Sequence, residues 1–169
     1  MNPGRGPPTL TRMELRPAAA ADVPLILELI RGLAEYEKLA HEVEATEARL
    51  RSTLFPAGGP PAAECVLAFV AGVPAGFALF FPTYSTFLAK PGLWLEDLFV
   101  DPGHRGRGVG RALIRHVARL ANERGCGRME WSVLDWNEPA IRFYERLGAS
   151  RLQDWTICRL TGEALARLG

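Results

Sequence analysis

The stretch HRGRGVGRALIRHVARLANERG, residues 104–125, decides the fold. Three arginines and three glycines lie within the seven residues from Arg105 to Arg111, and an apolar pattern with helical spacing follows. Glycine leaves the backbone amides uncovered and adopts conformations in which successive N–H groups point into one concavity. A helix predicted from about Gly108 to about Arg124 adds unpaired N–H groups and the positive end of its dipole. The stretch therefore predicts a pyrophosphate-binding loop.

Two familiar phosphate motifs do not fit this loop, and a flexible, solvated Gly/Arg loop remains the alternative. A P-loop requires a lysine after its last glycine, and none is present here. The spacing of Gly106, Gly108 and Gly110 differs from the dinucleotide-binding GxGxxG, which follows a first strand. This loop follows the fourth predicted strand.

The composition indicates a soluble enzyme of one domain. The chain has 169 residues, of which 48% are hydrophobic and 23% charged, and its net charge is +1. This balance argues against nucleic-acid and membrane partners, and no apolar run reaches the roughly 20 residues of a membrane span. Three widely spaced cysteines argue against a metal site and a disulfide framework and favour a cytoplasmic location. We expect a disordered tail over residues 1–12 and a single domain over residues 13–169.

The predicted elements follow the order β-α-α-β-β-β-α-β-α-β, which is typical of an α/β fold with a mixed sheet and helices on both faces. Asp22 is predicted to cap the first helix, with Pro24 in its first turn, and the second helix is predicted to begin at Thr46. RMEWSVL (128–134) and WTICRL (155–160) are predicted strands, the second before a short C-terminal helix.

The segment VDPGHRGRGVGRALI (100–114) resembles the acetyl-coenzyme A loop of the GCN5-related N-acetyltransferases (GNAT), whose motif is [RQ]xxGx[GA]. Residues 16–39, 93–110 and 135–150 are similar to segments of the diamine (spermidine/spermine) acetyltransferases and their thialysine-acetylating relatives. The resemblance runs from about Leu15 to Leu160. It implies the GNAT fold, a mixed, mostly antiparallel sheet that is splayed at the acetyl-coenzyme A site, with helices on both faces.

The resemblance also implies acetyl-coenzyme A as co-substrate, with its pyrophosphate in the glycine loop and its pantetheine arm along a strand that splays from its neighbour. A backbone N–H group of that strand would also donate a hydrogen bond to the oxyanion of the tetrahedral intermediate. The implied cofactor-binding residues are Leu98, Phe99, Val100, Arg105, Gly106, Arg107, Gly108, Val109, Gly110, Arg111, Asn137, Ala140 and Tyr144.

Acetyl transfer to an amine needs a proton acceptor, because a free alkylamine with a pKa near ~10.4 is protonated at neutral pH. The resemblance gives this role to Glu96, directly or through a water. Strand alternation predicts Leu95, Asp97 and Phe99 on one face and Glu96 on the other, so that Glu96 and Asp97 could not share a role. The alternative for Glu96 is a paired carboxylate at a strand end.

The departing thiolate benefits from an acid, and the resemblance gives that role to Tyr144, since a phenol with a pKa near ~10 holds its proton at neutral pH. The alternative is a core residue, because Ala140, Phe143, Tyr144 and Leu147 have the spacing of a buried helix face. Asn137 is predicted to cap the same helix, and Gly148 to close it.

The amine site should be acidic and partly aromatic if the substrate carries several positive charges. Residues 35–47 are rich in glutamate, although a solvated helix end would have the same composition. Where diamine acetyltransferases carry adjacent glutamates, this chain has Gln153 and Asp154, which leaves room for a smaller amine or an amino-acid side chain. By resemblance, the substrate-binding residues are Tyr36, Glu37, Glu96, Glu130, Trp131, Ser132 and Asp154.

The sequence therefore predicts an N-acetyltransferase that acts on a primary amine of a small di- or polyamine or a thialysine-like amino acid. The resemblance further implies a homodimer. A protein N-terminal or lysine acetyltransferase is one alternative, and a non-catalytic acyl-coenzyme A sensor is another. The presence of a candidate base and acid opposes the sensor.

Overall fold

The computed structural model describes residues 12–169, and the chain divides into two compact units. The first unit ends at Ser132, and the second is Val133–Gly169. The predicted tail lies outside the described residues except for Arg12, whose carbonyl accepts a hydrogen bond from the Ala71 amide at 2.9 Å. A single domain over residues 13–169 stays a prediction.

The first unit carries five strands and three α-helices, and the second unit carries two short α-helices. In the first unit they are β1 (Met13–Pro17), α1 (Val23–Tyr36), α2 (Glu47–Leu54), β2 (Glu64–Val70), β3 (Val73–Ser85), β4 (Lys90–Val100), α3 (Val109–Glu123) and β5 (Arg128–Glu130). In the second they are α4 (Glu138–Glu145) and α5 (Gly162–Ala166).

The sheet has the order β1-β2-β3-β4-β5, with antiparallel pairs up to β4 and a parallel pair between β4 and β5. The last β4–β5 pair is Trp94 with Glu130. Strand β4 continues from Leu95 to Val100, and none of the described strands pairs with that stretch on the β5 side. The predicted mixed sheet, splayed at this point, is confirmed.

Helices cover both faces of the sheet, as predicted. On one face, Ile26 of α1 and Leu54 of α2 belong to one buried cluster with Phe77 of β3. On the other face, Phe80 of β3 and Leu120 of α3 line the same hollow. Burial of apolar side chains on both faces is the main stabilising term for such a three-layer arrangement.

Two predicted strands differ from the structure. Strand β5 covers only Arg128–Glu130 of the predicted 128–134, and the predicted strand over 155–160 is absent. Residues 155–160 are exposed, and no described strand runs beside them. An alternating sequence forms a strand only when a neighbour supplies hydrogen bonds, so the pattern alone was insufficient there.

The first two helices begin close to the predicted residues. Helix α2 starts at Glu47, one residue after the predicted start, and the Thr46 hydroxyl caps it by accepting a hydrogen bond from the Arg49 amide at 3.2 Å. Asp22 does precede α1, and Pro24 lies in the first turn, but the Asp22 carboxylate accepts from the Ala19 amide at 2.8 Å instead. Asp22 ends a short 3-10 turn over Ala20–Asp22, and its carboxylate also forms an ion pair with Arg16 at 2.7 Å, so that it makes no cap hydrogen bond to α1.

Candidate active site

The glycine loop begins where β4 ends. The Asp101 carboxylate accepts a hydrogen bond from the Gly103 amide at 2.9 Å and starts a 3-10 turn over Pro102–His104. Gly106 and Gly108 then have φ angles of 74° and 84°, in the left-handed region that other residues rarely occupy. The two glycines are therefore needed for the backbone path, and nothing lies within 4 Å of where their Cβ atoms would be.

Helix α3 starts at Val109, directly after Gly108. Val109, Leu113 and Val117 are fully buried, and this apolar stripe fixes the helix start beside the loop. The first N–H groups of a helix have no intrahelical acceptor and attract anions. Because the Val109 side chain is buried, only its backbone is available to a ligand.

The two loop arginines nearest the strand lie differently from each other. The Arg105 Nε donates a hydrogen bond to the Val100 carbonyl at 3.1 Å, and its guanidinium carbon lies 4.4 Å from the centre of the Tyr36 ring. Arg107 is exposed. Arg105, predicted to contact the cofactor, therefore contacts a residue predicted for the amine site.

The unpaired stretch of β4 contains the three strand residues that the resemblance assigns to coenzyme A. Leu98 and Val100 are half-buried, whereas the Phe99 side chain is buried in the core cluster. Phe99 can therefore offer only backbone groups at the open edge. Extended backbone with free N–H and C=O groups is suited to pair with an amide-bearing ligand.

A β-bulge at Glu96 contradicts the predicted strand alternation. Leu79 of β3 pairs with Asp97 and the next residue, Phe80, pairs with Leu95, so that Glu96 is an extra residue in β4. Asp97 consequently shares the face of Leu79, and Leu95 lies on the opposite face. The prediction that groups Leu95 with Asp97 is wrong, because an inserted residue reverses the alternation.

Glu96 and Asp97 interact electrostatically at the bulge. The Glu96 carboxylate accepts a hydrogen bond from the Trp94 indole N–H at 2.7 Å. Burial raises the pKa of Asp97 to about 7, and the negative charges of Glu96 and Glu37 raise it further in the same direction. Asp97 is thus a titratable group that the sequence did not indicate. The Trp94 indole holds the Glu96 carboxylate in place.

The bulge could not be found from the sequence. Strand alternation is the default assumption for a run such as WLEDLFV, and an inserted residue becomes visible only when the partner strand is known. The only sequence signal was the pair of adjacent carboxylates in a strand that is otherwise apolar. Such a pair is expensive to bury unless the site uses it.

The end of α1 supplies two acceptor-site candidates of the first unit. Tyr36 is the last residue of α1, and the Glu37 amide donates to the Leu33 carbonyl at 2.9 Å. Burial raises the pKa of Glu37. Since the Glu37 charge acts on Asp97, the structure brings the end of α1 close to the bulge of β4.

The candidates around β5 lie beside the same strand. Glu130 is paired with Trp94 in the parallel register, and its carboxylate lies 2.7 Å from Nε of Arg128. Trp131 is half-buried and Ser132 is exposed.

The second unit contains the remaining candidates on or near α4. The Asn137 side-chain oxygen accepts a hydrogen bond from the Ala140 amide at 3.3 Å, which confirms the predicted cap, and Gly148 follows the helix with φ 91°. Tyr144 is half-buried with its ring centre 5.2 Å from that of Phe143. Asp154 is exposed.

Residues 12–169 contain no group of three His, Cys, Asp or Glu side chains arranged to hold a metal ion. None of the helices in this part of the chain combines the length and apolar character needed to cross a bilayer.

Comparison with known proteins agrees with this geometry. The model of the acetyltransferase (GNAT) family, whose members use acetyl-coenzyme A, matches residues 27–149. The chain is 36% identical to the L-ornithine N5-acetyltransferase NATA1 of Arabidopsis thaliana over 94% of this chain and 89% of that protein. It is 38% identical to the thialysine N-epsilon-acetyltransferase of Bos taurus, over 91% of this chain and 95% of that protein.

Solved structures show the same fold. An integron cassette protein from the mobile metagenome of V. cholerae superposes with a TM-score of 0.75 at 23% identity and covers 92% of this chain and 96% of that one. The family match spans most of the described chain, and both relatives align over nearly their whole length. The chain therefore belongs to the GNAT family of acetyltransferases.

Proposed function

We propose that the protein transfers the acetyl group of acetyl-coenzyme A to a primary amine of a thialysine-like amino acid or a short di- or polyamine. The observation that carries the proposal is the group of carboxylates at the bulge of β4, Glu37, Glu96 and Asp97, beside an unpaired strand edge. Carboxylates attract the ammonium form of the substrate and provide an acceptor for its proton. The names of the two relatives support an amine with a second charged group.

Glu96 is the proposed proton acceptor. The substrate nitrogen loses a proton to Glu96, directly or through a water, and its lone pair attacks the thioester carbonyl carbon. The Trp94 hydrogen bond restricts the Glu96 side chain to one orientation, which lowers the entropy lost when the reacting groups align. A backbone N–H of Leu98, Phe99 or Val100 is the proposed donor to the oxyanion.

Tyr144 is the proposed acid. When the carbon–sulfur bond of the tetrahedral intermediate breaks, the carbonyl re-forms and the sulfur takes the phenolic proton, so that coenzyme A leaves as the thiol. The second proton on the substrate nitrogen is released to solvent, from which the phenolate regains a proton. Asn137 and Ala140, at the first turn of the same helix, are the proposed cofactor contacts in the second unit. The cap that Asn137 makes fixes the start of α4 and thereby the helix that carries Tyr144.

The loop from Arg105 to Arg111 is the proposed pyrophosphate site. The left-handed glycines turn its backbone, and the start of α3 adds its unpaired N–H groups. Arg107 and Arg111 are exposed and supply positive charge for the phosphates.

The amine is proposed to meet acidic and aromatic side chains. We propose Tyr36, Glu37, Glu96, Glu130, Trp131, Ser132 and Asp154 as its contacts. We further propose that the protein acts as a homodimer in the cytoplasm without a bound metal. The exposed apolar side chains of residues 152–168, which include Trp155 and Ile157, support an assembly because water-exposed apolar groups favour association.

The test is release of the coenzyme A thiol from acetyl-coenzyme A with a panel of amines at one fixed pH. The panel contains thialysine, L-ornithine, lysine, short diamines, spermidine, spermine and a lysine-containing peptide. Turnover with any of the small amines supports the proposal and selects the substrate class. Turnover with the peptide alone would move the assignment to a protein acetyltransferase, and no turnover with retained acetyl-coenzyme A binding would favour a sensor.

A further inference from the structure

Arg105 occupies a position that binding of pyrophosphate alone does not explain. Its guanidinium points from the glycine loop toward the end of α1, where it lies 4.4 Å from the centre of the Tyr36 ring. The same group is 6.0 Å from the ring of Phe99, and its Nε donates to the Val100 carbonyl. One side chain of the loop thus contacts the end of β4 and the end of α1.

The end of α1 is held closely on β4 at this place. A Cβ atom on Gly32 would lie 3.1 Å from Cζ of Phe99, so the absence of a side chain lets the helix approach the ring. Tyr36 is one helical turn further along the same helix. The Arg105 guanidinium therefore lies against a ring that is carried by a helix packed closely on β4.

The contact is also electrostatically favourable. A guanidinium over an aromatic face is attracted to the ring quadrupole, and a cation near the C-terminal end of a helix is stabilised by the helix dipole. The residue after Arg105 is Gly106, whose left-handed backbone belongs to the loop. A ligand that orders the loop therefore also orders the group that holds Tyr36.

We propose that Arg105 is a positioning residue that couples the acetyl-coenzyme A loop to the amine site by holding the Tyr36 ring. Arg105 covers one face of the Tyr36 ring and thereby fixes the orientation that the ring presents to the amine. Binding of acetyl-coenzyme A and binding of the amine then favour each other, and the coupling is equal in both directions. The inference rests on the proposed function, because it requires both ligands.

The test uses Arg105→Gln, Tyr36→Leu and the double variant, with thialysine or whichever amine the wild-type protein acetylates fastest in the panel. At saturating acetyl-coenzyme A, we expect Arg105→Gln to raise the KM for the amine by about 2- to 5-fold, the range of an exposed cation–π contact. The KM for the amine should be no higher in the double variant than in Tyr36→Leu, because both substitutions remove the same contact. Calorimetry should show that the amine tightens coenzyme A binding to the wild-type protein and has less effect on Arg105→Gln.

Arg107→Gln is the matched control from the same loop. It should raise the KM for acetyl-coenzyme A and leave the KM for the amine unchanged. In a double variant with Tyr36→Leu, the fold-changes of the two single variants should multiply. If Arg105→Gln does not fold, as judged by thermal unfolding, Arg105→Lys replaces it, because lysine keeps the charge without the planar stack. An unchanged amine KM, or multiplicative losses in the Arg105–Tyr36 pair, would overturn the inference while the proposed function stood. A wild-type protein that binds coenzyme A but acetylates no amine would overturn both.

Discussion

Asp97 of β4 pairs with Leu79 of β3. Leu95, two residues before Asp97, pairs with Phe80, the residue directly after Leu79. This relationship places the Asp97 carboxyl on the face that carries the core cluster of α1 and α2. A carboxyl group there loses hydration and stands near two other carboxylates. Burial, followed by the charges of Glu96 and Glu37, raises its pKa to about 7.

Asp97→Asn should change how stability depends on pH. The ordinary pKa of an aspartate is 3.8 and the folded value is about 7, so between these values the folded protein binds more protons than the unfolded chain. The wild-type free energy of unfolding should therefore fall by at most about 4 kcal/mol as pH rises from about 4 to about 7, and then level off. The asparagine variant lacks this fall.

Urea unfolding at several pH values measures the difference. Asp97→Asn should gain stability relative to wild type between pH 5 and pH 8. Asp135→Asn, at an exposed position, is the control and should give a curve parallel to that of wild type. Parallel curves for Asp97→Asn as well would show that the Asp97 carboxyl is ionised throughout.

Trp94→Phe should lower turnover without loss of the strand. Phenylalanine keeps an aromatic ring in the sheet but removes the indole N–H that Glu96 accepts at 2.7 Å. Since a hydrogen bond to a charged group is worth about 1.5–3 kcal/mol, and this one is exposed, we expect kcat to fall about 3- to 10-fold. Glu96→Gln should be more severe, and Trp94→Phe should add little to it; equal effects of Trp94→Phe in both backgrounds would contradict the pairing.

Tyr144→Phe should lower kcat by about 10²- to 10⁴-fold, the usual contribution of a positioned acid. The dissociation constant of acetyl-coenzyme A should change little, because only the hydroxyl is removed. Steady-state kinetics together with calorimetry separate the two quantities. Phe143→Leu, on the adjacent position of α4, is the control for general damage to the helix. An unchanged kcat would remove Tyr144 from the acid's role.

Gly108→Ala should weaken acetyl-coenzyme A binding. An alanine at φ 84° costs about 1–2 kcal/mol of backbone strain, which the loop can relieve only by moving the N–H groups at the start of α3. Gly125→Ala is a closely matched control, because Gly125 has φ 68° just after the other end of α3. Both variants should lose similar thermal stability, and only Gly108→Ala should raise the dissociation constant. Equal dissociation constants would show that the loop does not bind the cofactor.

The sequence was sufficient for the elements that local patterns determine. The glycine loop, the start of α3 and the cap at Asn137 depend on residues within a few positions of one another, and the structure has each where it was predicted. The splay of the sheet was implied by the resemblance and is present at Trp94.

What the sequence could not supply depends on pairing between distant segments. The bulge at Glu96 is defined only by β3, and the contact of Arg105 with Tyr36 joins residues 69 positions apart. The predicted strand at 155–160 failed for the same reason, because strand propensity does not create a neighbour.

The separation of β4 from β5 has a consequence for what the protein can admit. Sheet edges usually lie at the outside of a fold, where the edge of another protein can add to them and begin aggregation. Here part of an edge lies within the sheet, since β4 runs on beyond Trp94, where its pairing with β5 ends. The hydrogen-bonding groups of this stretch can pair lengthwise with a thin, flexible chain of amides. The fold thereby offers one short stretch of strand edge to a ligand.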